Sequence, residues 1–487
     1  MISRRDFVNG AAAATVAMTA AGAGPARGQS PMLRIRRNAS KLDSGHKIFK
    51  DYALAVKRLH ALPADDPRHW RRLAIIHADH CPHGEEDFFH WHRHYLAFFE
   101  RICAEMLGEP TFALPYWDWS LNGGRIPDAL FDMRDLDVGR WKDDGAYDSH
   151  MFGAIRTTGR RGLAKGQDLL RLSNTFRPDM LEAMSRLTDF ETFRLSIEGS
   201  PHNTAHIFVG GGAGHMGDGL SPLDPLFWLH HCNVDRLWAQ WQRAGNKTPA
   251  DLRIYANMFV DEQGSPARVI AESAADFEAL GYTYDTVRPS AGQASALVLS
   301  QPSEEERAAR ATALARVEEE LSANELKSIG ASQTPIVVAG STSVAIEAPA
   351  TLDELFQRRA FSAPSALTLP RAAFESRRIL ARLKGVSRPE AKAVAGVDIF
   401  VIGFAAGGAS GRAAEDFAGT VCFFGRPMAD DGRFDFVVDL TAPLKGQAQE
   451  GMASGGDVRL RFQPIDIAGA PAPAGSFTIQ SVELVSA

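Results

Sequence analysis

His77-Ala78-Asp79-His80-Cys81-Pro82-His83-Gly84-Glu85-Glu86-Asp87-Phe88-Phe89-His90-Trp91-His92-Arg93-His94 places six histidines within 18 residues. The 487-residue chain has 15 histidines, and none lies beyond residue 231. The chemistry of this chain is therefore expected in its N-terminal part. A second cluster, His202-Asn203-Thr204-Ala205-His206, is followed by His215 and by His230-His231. The i,i+4 spacing of His202 and His206 puts both rings on one helical face. Residues 46–62, 92–107 and 225–242 have helical length and periodicity. The last opens on Asp224-Pro225, an N-cap residue and a proline in the first turn.

Ligand type narrows the metal. Imidazole suits copper, zinc, iron and nickel. Bridged di-iron sites in helical bundles are rich in Glu and use Glu-x-x-His pairs, which these clusters lack. A catalytic zinc needs one set of three protein ligands, and here there are two sets. Two three-imidazole sites facing each other suit a pair of copper ions, each with a position open to oxygen. Unrelated core and surface histidines are the competing explanation, and clustering at helical spacing argues against it.

The remaining sequence sets the frame. Apolar residues make up 45% and charged residues 23% of the chain, as in soluble globular proteins. A net charge of −6 is too small to indicate a nucleic-acid partner or an anionic membrane. No segment after the N-terminal stretch is apolar enough to span a bilayer. Ser3-Arg4-Arg5-Asp6-Phe7-Val8 is a twin-arginine motif followed by an alanine-rich stretch. Residues 1–28 thus read as a signal for the twin-arginine export machinery, giving a periplasmic or secreted protein. Cys81, Cys103, Cys232 and Cys422 show no zinc-type spacing and form no disulfide framework. A capping box at Ser303–Glu306 starts a charged helix inside a connector, residues 286–335. From residue 336 onward alternating segments at Val337–Ile346, Val397–Phe404, Thr420–Phe424, Phe434–Leu440, Val458–Pro464 and Ser476–Val485 read as strands. An α-helical domain followed by an all-β domain is expected.

At these residues the chain resembles the tyrosinase, catechol oxidase and haemocyanin superfamily of type-3 copper proteins. His92-Arg93-His94-Tyr95-Leu96 with Phe99-Glu100 is similar to the first copper signature. Asp224-Pro225-Leu226-Phe227-Trp228-Leu229-His230-His231, ending at Asp235, is similar to the second. Leu114-Pro115-Tyr116-Trp117-Asp118-Trp119, Tyr282-Thr283-Tyr284 and Arg433-Phe434-Asp435-Phe436-Val437 resemble plant-type polyphenol oxidases. The resemblance implies a mainly α catalytic domain at 29–285, a four-helix bundle around two copper ions. After the 286–335 linker it implies a β-sandwich at 336–487 that shields the site until a protease removes it.

By position, the resemblance implies His77, His83 and His92 as ligands of one copper and His202, His206 and His231 as ligands of the other. It leaves His80, His90, His94, His215 and His230 as non-ligands, with His80 and His90 the two that could replace a neighbour. Cys81, four residues after His77 and two before His83, matches both spacings that members use for a thioether link to the second ligand. Glu198 matches the acidic residue that holds a water near the coppers, and Asn203 the position that assists phenol deprotonation. Asp235 is expected to orient a neighbouring His or Arg, and Phe227 to pack under the metal pair. Asp218, at the site entrance, departs from the bulky or small apolar residue usual there. The implied activity is oxidation of o-diphenols to o-quinones by O2, with or without hydroxylation of monophenols. Oxidation of o-aminophenols and reversible oxygen carriage are the alternatives.

Overall fold

The apolar periodicities become helices, and the degree of burial separates surface helices from core ones. The computed structural model describes residues 33–142, 144–149, 151–287, 327–347, 378–389, 393–404, 413–425, 432–449, 457–472 and 476–486. The signal segment 1–28 and the charged helix expected from Ser303 lie outside the described residues. Helix α1 (Lys47–His60) buries one stripe, Phe49, Tyr52, Val56 and Leu59, the pattern of an amphipathic surface helix. Helix α2 (Trp70–His80) buries Trp70, Leu73, Ala74, His77 and Ala78. It stops where Cys81 turns extended ahead of Pro82, because a residue before proline avoids the helical region. Helix α3 (Phe88–Leu107) buries 16 of its 20 residues and is therefore a core helix. Gly108 ends it in the left-handed region, φ 66°, where a residue without Cβ carries no steric cost.

The second histidine cluster stands on an irregular stretch. Helix α4 (Phe190–Ile197) runs into a π-turn at Glu198–His202, and helix α5 (Asn203–Gly210) follows. Pro201 lies inside that turn and has no backbone N–H to donate. The wide turn leaves Glu198, His202 and Asn203 all buried. Helix α6 (Leu226–Arg243) is a second core helix, with 15 of 18 residues buried. The Asp224 carboxylate accepts from the Leu226 N–H at 2.9 Å and is held by Arg161 at 2.6 Å.

One buried ion network ties the chain's N-terminal strand to this core. Strand β1 (Arg34–Arg36) pairs in parallel with β2 (Tyr282–Tyr284). Asp235 on α6 accepts from Arg36 at 3.1 Å and from Tyr282 and Tyr284 at 2.6 and 2.5 Å, and it also pairs with Arg93. Arg36 reaches Glu100 on α3 at 2.9 Å. Asp235 thus faces two arginines.

The C-terminal part is a β-sandwich. Strands β3 (Lys327–Ala331), β4 (Ile336–Ala339), β5 (Thr342–Glu347), β6 (Ile379–Val386), β7 (Gly396–Phe404), β8 (Ala413–Cys422), β9 (Phe434–Asp439), β10 (Asp457–Ile465) and β11 (Ser476–Ser486) form two antiparallel sheets. One has the order β9-β6-β11-β3, with β4 also on β11; the other has the order β8-β7-β10-β5. Strand β3 falls inside the stretch read as linker, because Lys327–Ala331 pairs with the last strand. Alternation gives each strand two faces. Ile379, Ala381 and Leu383 on β6 join Val397, Ile399 and Val401 on β7 in the sandwich core. Leu380, Val437 and Val485, on the opposite face, belong to the core of the helical part. That sheet is buried on both sides. Among the described residues no helix is long and apolar enough to cross a membrane.

Candidate metal centre

Two groups of imidazoles meet at the centre of the helical part. His77 comes from α2, His83 from the loop after Pro82, and His92 from α3. Their ring centroids lie 5.3 to 5.7 Å apart. His202 closes the π-turn, His206 sits on α5 and His231 on α6, with centroids 4.7 to 5.4 Å apart. The groups adjoin: His92 stacks on His231 at 4.4 Å and His83 on His202 at 5.5 Å.

The hydrogen bonds show which nitrogens are reserved. His77 Nδ1 donates to the Gly219 carbonyl at 2.7 Å and His92 Nδ1 to the Phe88 carbonyl at 2.8 Å. His206 Nδ1 donates to the Met216 carbonyl and His202 Nδ1 to Asn203 Oδ1, both at 2.8 Å. Donation through Nδ1 fixes the tautomer and leaves Nε2 with a lone pair, the arrangement of metal-ligating histidine. The Nε2 atoms of His77, His83, His92 and His202 are buried with no protein partner. His206 Nε2 and His231 Nε2 lie 3.2 Å apart. Metal–nitrogen bonds of about 2 Å bring two imidazoles on one ion to about that separation. Burial holds all six rings below the ordinary histidine range, His77 at about 4 and His202 at about 3. They are neutral and able to ligate at neutral pH. The donor set, almost purely nitrogen and arranged as two facing groups, fits a pair of copper ions.

The other expected residues are placed as follows. Cys81 is a buried free thiol with Sγ 3.2 Å from His83 Nδ1. Glu198 accepts from the Gly84 N–H at 2.6 Å and from Arg194 at 2.5 Å. Burial nonetheless raises its carboxyl to about 7, against the pull of Arg194 and the Gly84 N–H. Phe227 lies against His231 at 4.2 Å and His77 at 5.0 Å. Asp218 accepts from the Gly219 N–H at 2.7 Å, one residue from the carbonyl that orients His77. Of the histidines left aside, His215 bonds Thr157 and His94 the Ile270 carbonyl. His90 packs on Trp238, while His230 comes within reach of the second group.

Sequence reasoning missed Phe424. It follows the end of β8, and its ring lies parallel to His206 at 4.0 Å and edge-on to His83 at 5.1 Å. The sandwich is held there by polar contacts. Asn203 Nδ2 donates to the Cys422 carbonyl at 3.0 Å, and Ser200 Oγ to the Thr420 carbonyl at 2.6 Å. Gly425 has φ 77°, and a Cβ on it would come within 3.1 Å of His83. A cavity of about 360 Å³ remains beside the ring, lined by Glu198, Asn203, Phe424, Arg433 and Phe436 among others. One signal was available. Phe423 and Phe424 are consecutive at a strand end, so only one of them can point into the sandwich.

Residues 55–244 match the common central domain of tyrosinase. The chain carries a tyrosinase-family core. Polyphenol oxidase A of Solanum lycopersicum is 32% identical over 297 residues, 52% of this chain and 46% of that protein. Catechol oxidase B of Solanum tuberosum is 30% identical over 294 residues, 52% and 49% of the two chains. Both are named chloroplastic. The chain spans about half the length of the curated relatives it matches. Among solved structures, latent apple tyrosinase is 20% identical, covers 94% of this chain and 98% of its own, and has a TM-score of 0.56. Recombinant latent aurone synthase, a polyphenol oxidase, is 19% identical, covers 94% and 90%, and has a TM-score of 0.58. These two likenesses are of fold, and they extend over the helical part and the sandwich together.

Proposed function

We propose that this protein is a dicopper oxidase that converts o-diphenols to o-quinones, with the sandwich keeping it latent. The observation that carries the proposal is the pair of facing triads of buried, neutral imidazoles with unsatisfied Nε2 atoms. The ligands are His77, His83 and His92 for one ion and His202, His206 and His231 for the other. When bound, the copper ions supply the redox chemistry with O2. In the balanced reaction a catechol loses two electrons and two protons, and O2 is reduced to water.

The protein's own groups orient the substrate and handle its proton. The Phe424 ring marks where a phenol would stack, parallel to His206. A monophenol must also lose its proton. Glu198 and Asn203 border the same cavity, where a water held between them would take that proton. Glu198, at about 7, is poised for this exchange at neutral pH. Asn203 is occupied on both sides while the sandwich is docked, by His202 and by the Cys422 carbonyl. Phe424 and this amide bond together account for latency. A thioether between Cys81 and His83, closed with loss of two hydrogens, would lock the second ligand of the first site. Export through the twin-arginine pathway rests on Ser3–Val8.

The test is to assay copper-loaded protein with catechol, an o-aminophenol and tyrosine, full-length and after proteolysis within residues 288–326. Catechol oxidation that rises sharply on cleavage is expected. Preference for the o-aminophenol would redirect the substrate assignment. No turnover of any, with reversible oxygen binding, would sink the oxidase reading. Equal activity before and after cleavage would remove latency.

A further inference from the structure

His230 is the buried histidine that the two triads leave unexplained. His202, His206, His230 and His231 each offer a nitrogen within 4.8 Å of the other three. The His230 ring centroid lies 4.6 Å from His206, 5.1 Å from His231 and 5.2 Å from His202. These separations match those among the three assigned rings of that group, 4.7 to 5.4 Å. His230 is fully buried, and neither of its ring nitrogens has a hydrogen-bond partner. His202 and His206, by contrast, each have one nitrogen fixed by a donor bond. A neutral imidazole carries one donor and one acceptor, and each polar group left unmet in the interior costs about 1–3 kcal/mol. A ring so placed calls for a partner, and the lone pairs around it belong to other imidazoles.

We infer that His230 is a fourth imidazole ligand of the second metal ion. It approaches from the interior, where its ring rests against Trp119 at 5.1 Å and Trp117 at 6.4 Å. Phe424 approaches the same group through His206. A ligand on the interior side leaves the position facing Phe424 open. The two sites are thereby unequal: three imidazoles for the first ion and four for the second. The fourth ligand helps capture and retain the second ion without taking the position that chemistry needs. This inference rests on the dicopper assignment above.

The experiment uses the full-length chain stripped of metal and titrated with Cu(I) against a colorimetric chelator, in wild type, His230→Phe and His230→Gln. Two ions per chain are expected in all three. One of them should bind about 10- to 100-fold more weakly in the variants, the scale on which supporting residues tune metal affinity. X-ray absorption should show seven imidazoles shared by two ions in wild type and six in the variants. The rise in melting temperature on copper loading should shrink, while the metal-free melting temperature of His230→Gln stays near wild type. Wild-type affinity and unchanged nitrogen count in His230→Gln would overturn the inference and leave the dicopper centre standing. A wild-type chain that takes up fewer than two ions would overturn both. Should His230→Phe fail to fold, His230→Gln decides.

Discussion

Replacing Phe424 with alanine in the full-length protein tests whether one ring, rather than the whole sandwich, silences the site. The ring is buried and stacked on His206 at 4.0 Å. A phenol that takes its place must first displace it. Withdrawing a buried Phe side chain costs about 1.5–3 kcal/mol, and the lost parallel ring pair adds about 0.5–1.5 kcal/mol. At about 1.4 kcal/mol per tenfold, the barrier removed corresponds to a gain of about 30- to 2,000-fold in kcat/KM. The sandwich itself should stay docked, because Asn203–Cys422, Ser200–Thr420 and Arg378–Ala183 hold it independently. Phe424→Leu keeps most of the apolar burial and loses the ring pair, so it should gain only about 2- to 13-fold. The assay is catechol oxidation by copper-loaded chain shown by mass to be uncleaved. A Phe424→Ala protein as silent as wild type, alongside an active cleaved sample, would refute the reasoning and shift latency to the sandwich as a whole.

Three further outcomes are expected. Asp235→Asn leaves Arg36 and Arg93 facing a neutral amide in the interior, and should lower the unfolding free energy by about 3–5 kcal/mol in a urea titration; a change below about 1 kcal/mol would mean that the pairs behave like surface ones. Burial pushes the Asp235 carboxyl up, but Arg93 and Arg36 outweigh it and hold it below its usual value, so this stability is present at neutral pH and fades as pH falls through that lowered value. Monophenol hydroxylation by cleaved enzyme should rise with pH and level off near the Glu198 value of about 7, and Glu198→Gln should flatten that profile while sparing catechol oxidation; an unchanged profile would remove Glu198 from proton transfer. A peptide spanning Cys81 and His83 from copper-loaded protein should weigh two hydrogens less than its sequence mass, and alkylation of Cys81 in that protein would argue against the link.

The sequence was most legible where one chemical need dominated. Histidine spacing located both groups, since helical phase places rings on a shared face. Core helices α3 and α6 were visible from their apolar runs. Helix α2 was harder to see, because its buried stripe is broken by polar neighbours such as Arg71, Arg72 and Asp79. The π-turn at Glu198–His202 could not be read from spacing, for Pro201 suggests a break where the chain only widens. Strand β6 has residues buried on both faces, so it lacks the alternation that marks a strand with one wet side. Phe424 escaped because its role depends on a contact across 218 residues of chain with His206, and no local pattern encodes that. His230 was set aside by its neighbour: in a His-His pair on a helix, sequence cannot say that both rings converge on one group.

The sheet buried on both faces has a consequence beyond catalysis. Leu380, Val437 and Val485 are shared property, counted in the interior of the helical part although the sandwich carries them. Whatever lifts the sandwich away leaves the opposing apolar surface wet, beside the newly opened site. Exposed patches of this kind favour adhesion and self-association. The unmasked protein should therefore be the stickier and shorter-lived form, working near surfaces or in small clusters. In this chain the cover acts as a solubility partner as well as a lock.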